Sequence, residues 1–168
     1  MTDQQKKAFE ILTEVVNICD ILGLNYYLVC GSALGAVKYN GFIPWDDDID
    51  VALPRADYEV FLEKAPKMLS SNMFIQNYRT DKYFPLIGTK IRNSNTTYIE
   101  KCHNTIDMHH GIFIDIFPLD GYPRPLHEEK VFQKAKKKYL RRYIVKVTYN
   151  RWSLPNILGV RSNVIYIL

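Results

Sequence analysis

Apolar residues recur at helical spacing through residues 4 to 22, where Phe9, Ile11, Leu12, Val15, Val16, Ile18 and Leu22 mark one face and Gly23 is placed to end the helix. Asn25 to Cys30 is a short aromatic and aliphatic run that predicts a strand. Gly31-Ser32 breaks it, and Ala33 to Tyr39 predicts a short helix closed by Asn40-Gly41. The stretch Asp46 to Leu53 becomes a strand in its second half, and Pro54 stops it. Residues 55 to 65 predict a helix with Tyr58, Phe61, Leu62 and Ala65 on one face, ended or kinked at Pro66. Phe74 to Tyr78, Gly88 to Arg92 and Thr96 to Ile99 are strand candidates, and Ile112 to Phe117, ended by Pro118, is the strongest strand signal. Residues 127 to 147 predict a basic amphipathic helix burying Phe132, Ala135, Tyr139, Tyr143 and Val147. This order predicts an α/β or α+β sheet with helices packed on it. No repeat, low-complexity tract or linker interrupts it, so residues 1–168 are expected to form a single domain.

Composition narrows the class. A chain of 168 residues that is 47% hydrophobic and 24% charged has the balance of a soluble globular protein with a real core. A formal charge of +4 is too small to imply a nucleic-acid partner. Its distribution says more. Lys134, Lys136, Lys137, Lys138, Arg141 and Arg142 crowd one segment, which reads as a solvated face or as a contact for anionic lipid or polymer. Acids crowd the other, between Asp46 and Asp50. Three cysteines without paired spacing fit a reducing cytoplasm. The N-terminus lacks the apolar core of a signal peptide, and no run approaches the ~20 apolar residues of a membrane span. The expected location is the cytoplasm, with the inner membrane face left open.

The acidic run carries the candidate chemistry. Asp48 and Asp50, two apart on the expected strand, project from one face while Ile49 and Val51 point into a core. Two adjacent carboxylates repel unless a cation lies between them, and Mg²⁺ favours one or two carboxylates plus phosphate oxygens. Asp115 lies inside an apolar strand, where an ionised carboxylate is costly without a partner. A strand pairing that set it beside Asp48 and Asp50 would complete a three-carboxylate metal site. Against this stands the bland reading of an Asp-rich turn, and for Asp46 and Asp47 capping or solvation is as good an account as ligation.

Gly31-Ser32 opens a helix whose first-turn N–H groups and dipole suit a phosphate, with Ser32 donating to it; the plain alternative makes Ser32 an N-cap. Lys90 and Arg92, alternating on a strand, and Arg55 are further candidates for phosphate contacts, each weighed against a solvated surface cation. Cys102-His103 and His109-His110 match no standard zinc spacing and predict a loop with ordinary surface histidines. Tyr78, Tyr83, Phe84 and Tyr98 could supply an aromatic cage for a quaternary ammonium group.

A Gly-Ser turn, then Asp-x-Asp on a strand, then a third Asp on a later strand is the pattern of the nucleotidyltransferase superfamily, here with a longer gap than usual. The fuller strings are more specific. Gly31 to Val37, Gly41 to Asp50, Pro54-Arg55-Ala56-Asp57-Tyr58 and Gly111 to Gly121 together resemble the LicD family, over roughly residues 5 to 145. Fukutin-type ribitol-phosphate transferases match less closely. The resemblance implies an α+β fold of the DNA polymerase β type, a mixed sheet with flanking helices. It also implies Mg²⁺ or Mn²⁺, and transfer of phosphocholine or a related phospho-alcohol from CDP-choline or a similar CDP-alcohol. The acceptor implied is a cell-surface glycan such as teichoic acid or lipopolysaccharide. By the same resemblance Asp48, Asp50 and Asp115 match metal-binding catalytic carboxylates, and Gly31 and Ser32 the phosphate-side motif. Members of that family usually continue beyond the point where this chain stops, after Val164 to Leu168, so a C-terminally truncated product lacking part of the pocket is expected. A nucleotidyltransferase acting from an NTP, or a catalytically incomplete fragment, remain the alternatives.

Overall fold

The computed structural model describes residues 1–86 and 88–121, together with residues 130, 131, 133, 134, 137 and 138. Chain contacts divide the protein at Gly121 into two compact units, and all the elements below belong to the first, Met1–Gly121. Most of the basic helix expected at 127–147 lies outside the described residues.

Helix α1 (Asp3–Leu22) starts where Thr2 and Gln5 form a reciprocal capping box and ends on Gly23 in the left-handed region at φ 66°. Its buried stripe is Gln5, Ala8, Ile11, Val15, Ile18 and Cys19, which leaves Phe9 facing outward. Strand β1 is only Tyr27–Leu28, because Cys30 turns the chain at φ 50° and helix α2 (Cys30–Tyr39) begins there, taking Gly31 and Ser32 into its first turn. Strand β2 (Asp50–Pro54) runs directly into α3 (Arg55–Lys64), and a 3-10 turn at Ala65–Lys67 absorbs Pro66. Strands β3 (Met73–Gln76), β4 (Thr89–Asn93) and β5 (Ile112–Leu119) complete the sheet, with a second 3-10 turn at Lys101–His103.

The result is an α+β unit with a five-stranded mixed sheet in the order β1-β2-β5-β4-β3, flanked by helices. β2 and β5 are parallel, and the other neighbours are antiparallel. Strand alternation gives the sheet two faces of different character. One presents Val51, Leu53, Ile75, Ile91, Ile114 and Ile116, which join the α1 stripe and Tyr58 and Phe61 of α3 in a single hydrophobic cluster. The other carries Asp50, Asp115, Lys90, Arg92 and Gln76.

Three expectations from the pattern change. Pro118 does not end its strand: β5 runs on to Leu119, with Pro118 paired to Leu53. Asp48 precedes the strand rather than lying in it, since β2 opens at Asp50, although Asp115 N–H still donates to the Ile49 carbonyl at 2.8 Å. Thr96 to Ile99 forms no strand. The Asn93 side chain accepts from Asn95 N–H at 2.9 Å, the Thr96 hydroxyl donates to the Asn93 carbonyl at 2.7 Å, and Ile112 N–H donates to that same hydroxyl at 2.8 Å. Local side-chain bonds of this kind compete with a ladder and turn the chain out of the sheet.

Gly111 seats the returning chain against β4. A Cβ there would stand 2.2 Å from the Asn93 carbonyl oxygen and 2.9 Å from its carbon, and backbone cannot yield as a side-chain tip can. Gly111→Ala should therefore destabilise the fold by about 1–3 kcal/mol, lowering the thermal midpoint by roughly 2–10 °C in a melting experiment. An unchanged midpoint would mean that the backbone contact is absent in solution.

Candidate active site

The parallel pairing of β2 with β5 sets Asp50 opposite Asp115, and the antiparallel pairings extend that row to Lys90 and then to Gln76. Asp48 joins from the segment before β2, and one carboxylate oxygen from each of Asp48, Asp50 and Asp115 lies within 4.8 Å of the others. All three side chains are partly buried. Burial, with repulsion from Asp50, Asp46 and Asp115, pushes the Asp48 carboxyl up to about 7. Burial and Asp115 push Asp50 up to about 6, against the pull of Lys90. Asp115 is raised too, chiefly by burial, although the Lys90 ammonium beside it works the other way. Carboxyls that resist ionisation together, with hard oxygen donors converging, are a donor set that can hold a divalent cation such as Mg²⁺ or Mn²⁺.

The backbone around this cluster is fixed from three directions. Asp50 N–H donates to the Ser32 hydroxyl oxygen at 2.8 Å, and Val29 N–H donates to the Asp50 carbonyl at 3.1 Å, so the start of α2 clamps the start of β2. Ser32 is not the helix cap; Val29 holds that position without a side-chain bond. The Gly31 and Ser32 N–H groups fall in the first turn, where a helix has no carbonyl of its own to offer them. Gly31 also admits Asp46, whose Oδ2 would lie 2.6 Å from any Cβ at that position. From α1, the Gln5 amide nitrogen donates to the Asp46 carbonyl at 2.8 Å while its oxygen serves the capping box. From the loop before β5, Tyr98 donates its hydroxyl to Asp47 at 2.6 Å. Asp47 therefore has a protein partner, and Asp46 lies close enough to Asp48 to raise its pKa.

Behind Asp115 lies a buried chain of alternating charge. Lys90 donates to Asp115 Oδ2 at 3.0 Å and stands 3.6 Å from Glu100 Oε1, with its ammonium 3.2 Å from the centre of the Phe113 ring. Arg92 donates to Glu100 Oε2 at 3.0 Å and to the Gly111 carbonyl at 2.6 Å, and its Nε donates to Gln76. Burial works to raise Glu100, but the nearby His103 ring, Lys90 and Arg92 hold its carboxyl down at about 2.

The candidate cations thus have different fates. Lys90 reaches the cluster. Arg92 is fully buried with its guanidinium committed to Glu100, Gly111 and Gln76. Arg55, after the far end of β2, grips Asp120 through two bonds at 2.6 and 2.7 Å and Glu59 through a third. Among the described residues the histidines are not surface residues: His103 is 8% exposed, His109 stacks on Phe74 at 4.9 Å between ring centres, and His110 is partly buried. Glu100, Cys102 and His103 bring ligand atoms within 4.8 Å of one another, but with Arg92 and Lys90 on Glu100 the set is poorly matched to a further cation. Of the aromatic candidates, Phe84 is a core residue, Tyr78 packs with Arg79, and Tyr98 serves Asp47.

Pattern and spacing do not single out Gln5, Cys30 or Glu100. Gln5 does carry a signal, being a polar residue in line with Ala8, Ile11 and Val15. Cys30 borders the carboxylates, and burial together with Asp50, Asp48 and Asp115 pushes its thiol up. Among the described residues, no helix is long and apolar enough to cross a membrane.

The chain is 28% identical over 145 residues to the lipopolysaccharide cholinephosphotransferase LicD of Haemophilus influenzae, an alignment covering 84% of this chain and 51% of that protein. It is 25% identical over 127 residues to an uncharacterized protein of Rickettsia typhi, covering 70% of this chain and 40% of the other. The chain therefore spans about half, or less, of the length of these curated relatives. Residues 23–151 match the family described as LicD/FKTN/FKRP, nucleotidyltransferase domain, and that stretch contains Gly31, Ser32, Asp48, Asp50, Lys90, Glu100 and Asp115. The chain belongs to the LicD family.

Proposed function

We propose that this domain carries out metal-dependent transfer of phosphocholine, or a related phospho-alcohol, from a CDP-linked donor to a hydroxyl of a cell-surface glycan, lipopolysaccharide or teichoic acid being the acceptor class. The observation that carries the reading is the convergence of Asp48, Asp50 and Asp115 within a LicD-family domain. The likeness to a lipopolysaccharide cholinephosphotransferase supports the headgroup and the glycan. The mixed sheet, with its carboxylates on the adjacent strands β2 and β5 and a helix N-terminus beside them, supports a nucleotidyltransferase-type fold.

Asp48, Asp50 and Asp115 would hold the cation, which when bound neutralises charge on the phosphoryl oxygens and on the departing nucleotide. The first-turn N–H groups of Gly31 and Ser32, at the positive end of α2, would receive the donor diphosphate. Ser32 has a second task, since its oxygen already fixes the Asp50 backbone. Asp115 would position the acceptor hydroxyl and take its proton as the acceptor oxygen bonds to the distal phosphorus. The bond from that phosphorus to the bridging oxygen breaks, and its electron pair leaves with CMP.

With Mg²⁺, CDP-choline and a glycan acceptor extract, the reading expects CMP. Asp48→Asn and Asp50→Asn should each lower turnover by about 10²-fold or more, the worth of several kcal/mol of metal-held charge stabilisation, while circular dichroism stays native. Pyrophosphate released from CTP, with no CMP from any CDP-alcohol, would instead make the domain a nucleotidyltransferase. Normal turnover in either variant would remove the metal assignment.

The raised carboxyls give a pH signature. Asp48 and Asp50 titrate above their ordinary 3.8 in the folded chain, so the unfolded chain loses these protons first, and stability falls as pH climbs through about 6 and about 7. Glu100, held at about 2, is ionised throughout that window and adds no slope. In chelating buffer the thermal midpoint should fall from about pH 5 to about pH 8, and excess Mg²⁺ should raise it most at the upper end, where the carboxylates are free to bind. A Mg²⁺ effect equal at both ends would show that these carboxyls are not the ligands.

A further inference from the structure

Lys90 is the only described cation that touches an oxygen of the carboxylate cluster, and it is not free to choose its place. Its side chain is 3% exposed, its stem rises from β4 directly opposite Asp115, and its ammonium rests on the Phe113 ring. Two anions then divide it: Asp115 Oδ2 at 3.0 Å and Glu100 Oε1 at 3.6 Å. Glu100 is itself held from behind by Arg92 at 3.0 Å, with His103 3.5 Å away, so it cannot swing across to Lys90 entirely.

We infer that Glu100 is a positioning residue for the carboxylate cluster: by sharing the Lys90 ammonium it keeps Asp115 available to a divalent cation instead of closed in a private ion pair. The inference rests on the proposed metal role of the cluster. Its physical basis is a balance of charge at short range. A lysine ammonium has three donors, and in a site that excludes water each unclaimed donor turns to the nearest anion. Were Glu100 neutral, that anion would be Asp115, and a cation approaching the cluster would meet both the closed pair and an undivided positive charge. Arg92 explains why the device holds its shape. By anchoring Glu100 Oε2 and the Gly111 carbonyl, it fixes the loop that carries Glu100 onto the sheet face.

The test is Mn²⁺ binding to the full chain, read by the loss of the free-ion paramagnetic resonance signal, alongside thermal melts that confirm folding. Glu100→Gln, which keeps the shape and one acceptor oxygen, should weaken Mn²⁺ binding by about tenfold, the scale on which groups behind a metal ligand act. Lys90→Met, which frees Asp115 of its competitor, should bind Mn²⁺ more tightly than wild type. The double variant Lys90→Met/Glu100→Gln has no ammonium for Glu100 to divide, so it should bind Mn²⁺ within about threefold of Lys90→Met and lack the tenfold loss. A merely structural Glu100 would cost the double variant the same tenfold relative to Lys90→Met, and that result overturns the inference. So does a Glu100→Gln protein that binds Mn²⁺ like wild type, or a Lys90→Met protein that binds it more weakly. If Glu100→Gln does not fold, Glu100→Asp, which keeps the charge but draws it back from Lys90, takes its place: weaker Mn²⁺ binding than wild type is expected, and binding equal to wild type overturns the inference. Wild-type chain that binds no Mn²⁺ would sink the metal reading itself and this inference with it.

Discussion

Everything at the site depends on one strand pairing. β2 and β5 are parallel neighbours, and their register sets Asp50 directly across from Asp115. Opposed like charges on adjacent strands oppose pairing. This register persists because the face behind it is apolar: Val51 and Leu53 on β2, and Ile114 and Ile116 on β5, are fully buried against α1 and α3. A slip of β5 by one residue would turn Ile114 and Ile116 out of the core and carry Asp115 into it. Hydrophobic burial thus holds two carboxylates where electrostatics alone would not leave them, and the raised pKa of Asp48 and Asp50 records the strain.

What lies around the pairing limits that strain. Lys90 offsets part of the charge on Asp115, Glu100 divides Lys90, and Arg92 secures Glu100, so that no charge in the buried row stands alone. Removing one member of such a row costs more than the row contributes, since it leaves its neighbour buried and unpaired. On the other side, Ser32 and Val29 fasten the Asp50 backbone to α2, and Gln5 and Tyr98 hold the Asp46-Asp47 segment. The acidic segment is therefore a supported loop whose geometry is set by α1, α2 and the loop before β5, far apart in the chain.

The sequence made the larger elements legible because period and punctuation agree. The capped stripe of α1, the Pro54 boundary and the alternation through Ile112 to Phe117 each appear where pattern places them, although β5 runs on through Pro118 to Leu119. Local chemistry defeated it in smaller pieces. The run from Asn25 to Cys30 has strand composition, yet Cys30 turns at positive φ and yields its end to α2. Thr96 to Ile99 has β-branched and aromatic residues, but Asn93 and Thr96 bond locally and bend it into a loop. At the site, the three carboxylates could be named from an acidic residue in an apolar strand, whereas their pairing register could not. Lys90 and Arg92 look alike in sequence, two apart on one strand; the register that sets Lys90 opposite Asp115 makes one a neighbour of the cluster, and the position of Glu100 makes the other its brace. Glu100 itself sits in a loop without periodicity, and nothing in its flanks signals a buried ion pair.

The central claim is that Asp48, Asp50 and Asp115 form one divalent-cation site. The most direct measurement is a crystal structure of the chain soaked in Mn²⁺ at pH about 8, above the values of about 7 and about 6 to which Asp48 and Asp50 are raised, with data collected for the anomalous signal of manganese. The account predicts an anomalous peak bounded by oxygens of all three carboxylates, with the Lys90 ammonium still on the Asp115 side away from it. A peak elsewhere, or density for ordered water and no manganese among these carboxylates, would contradict it.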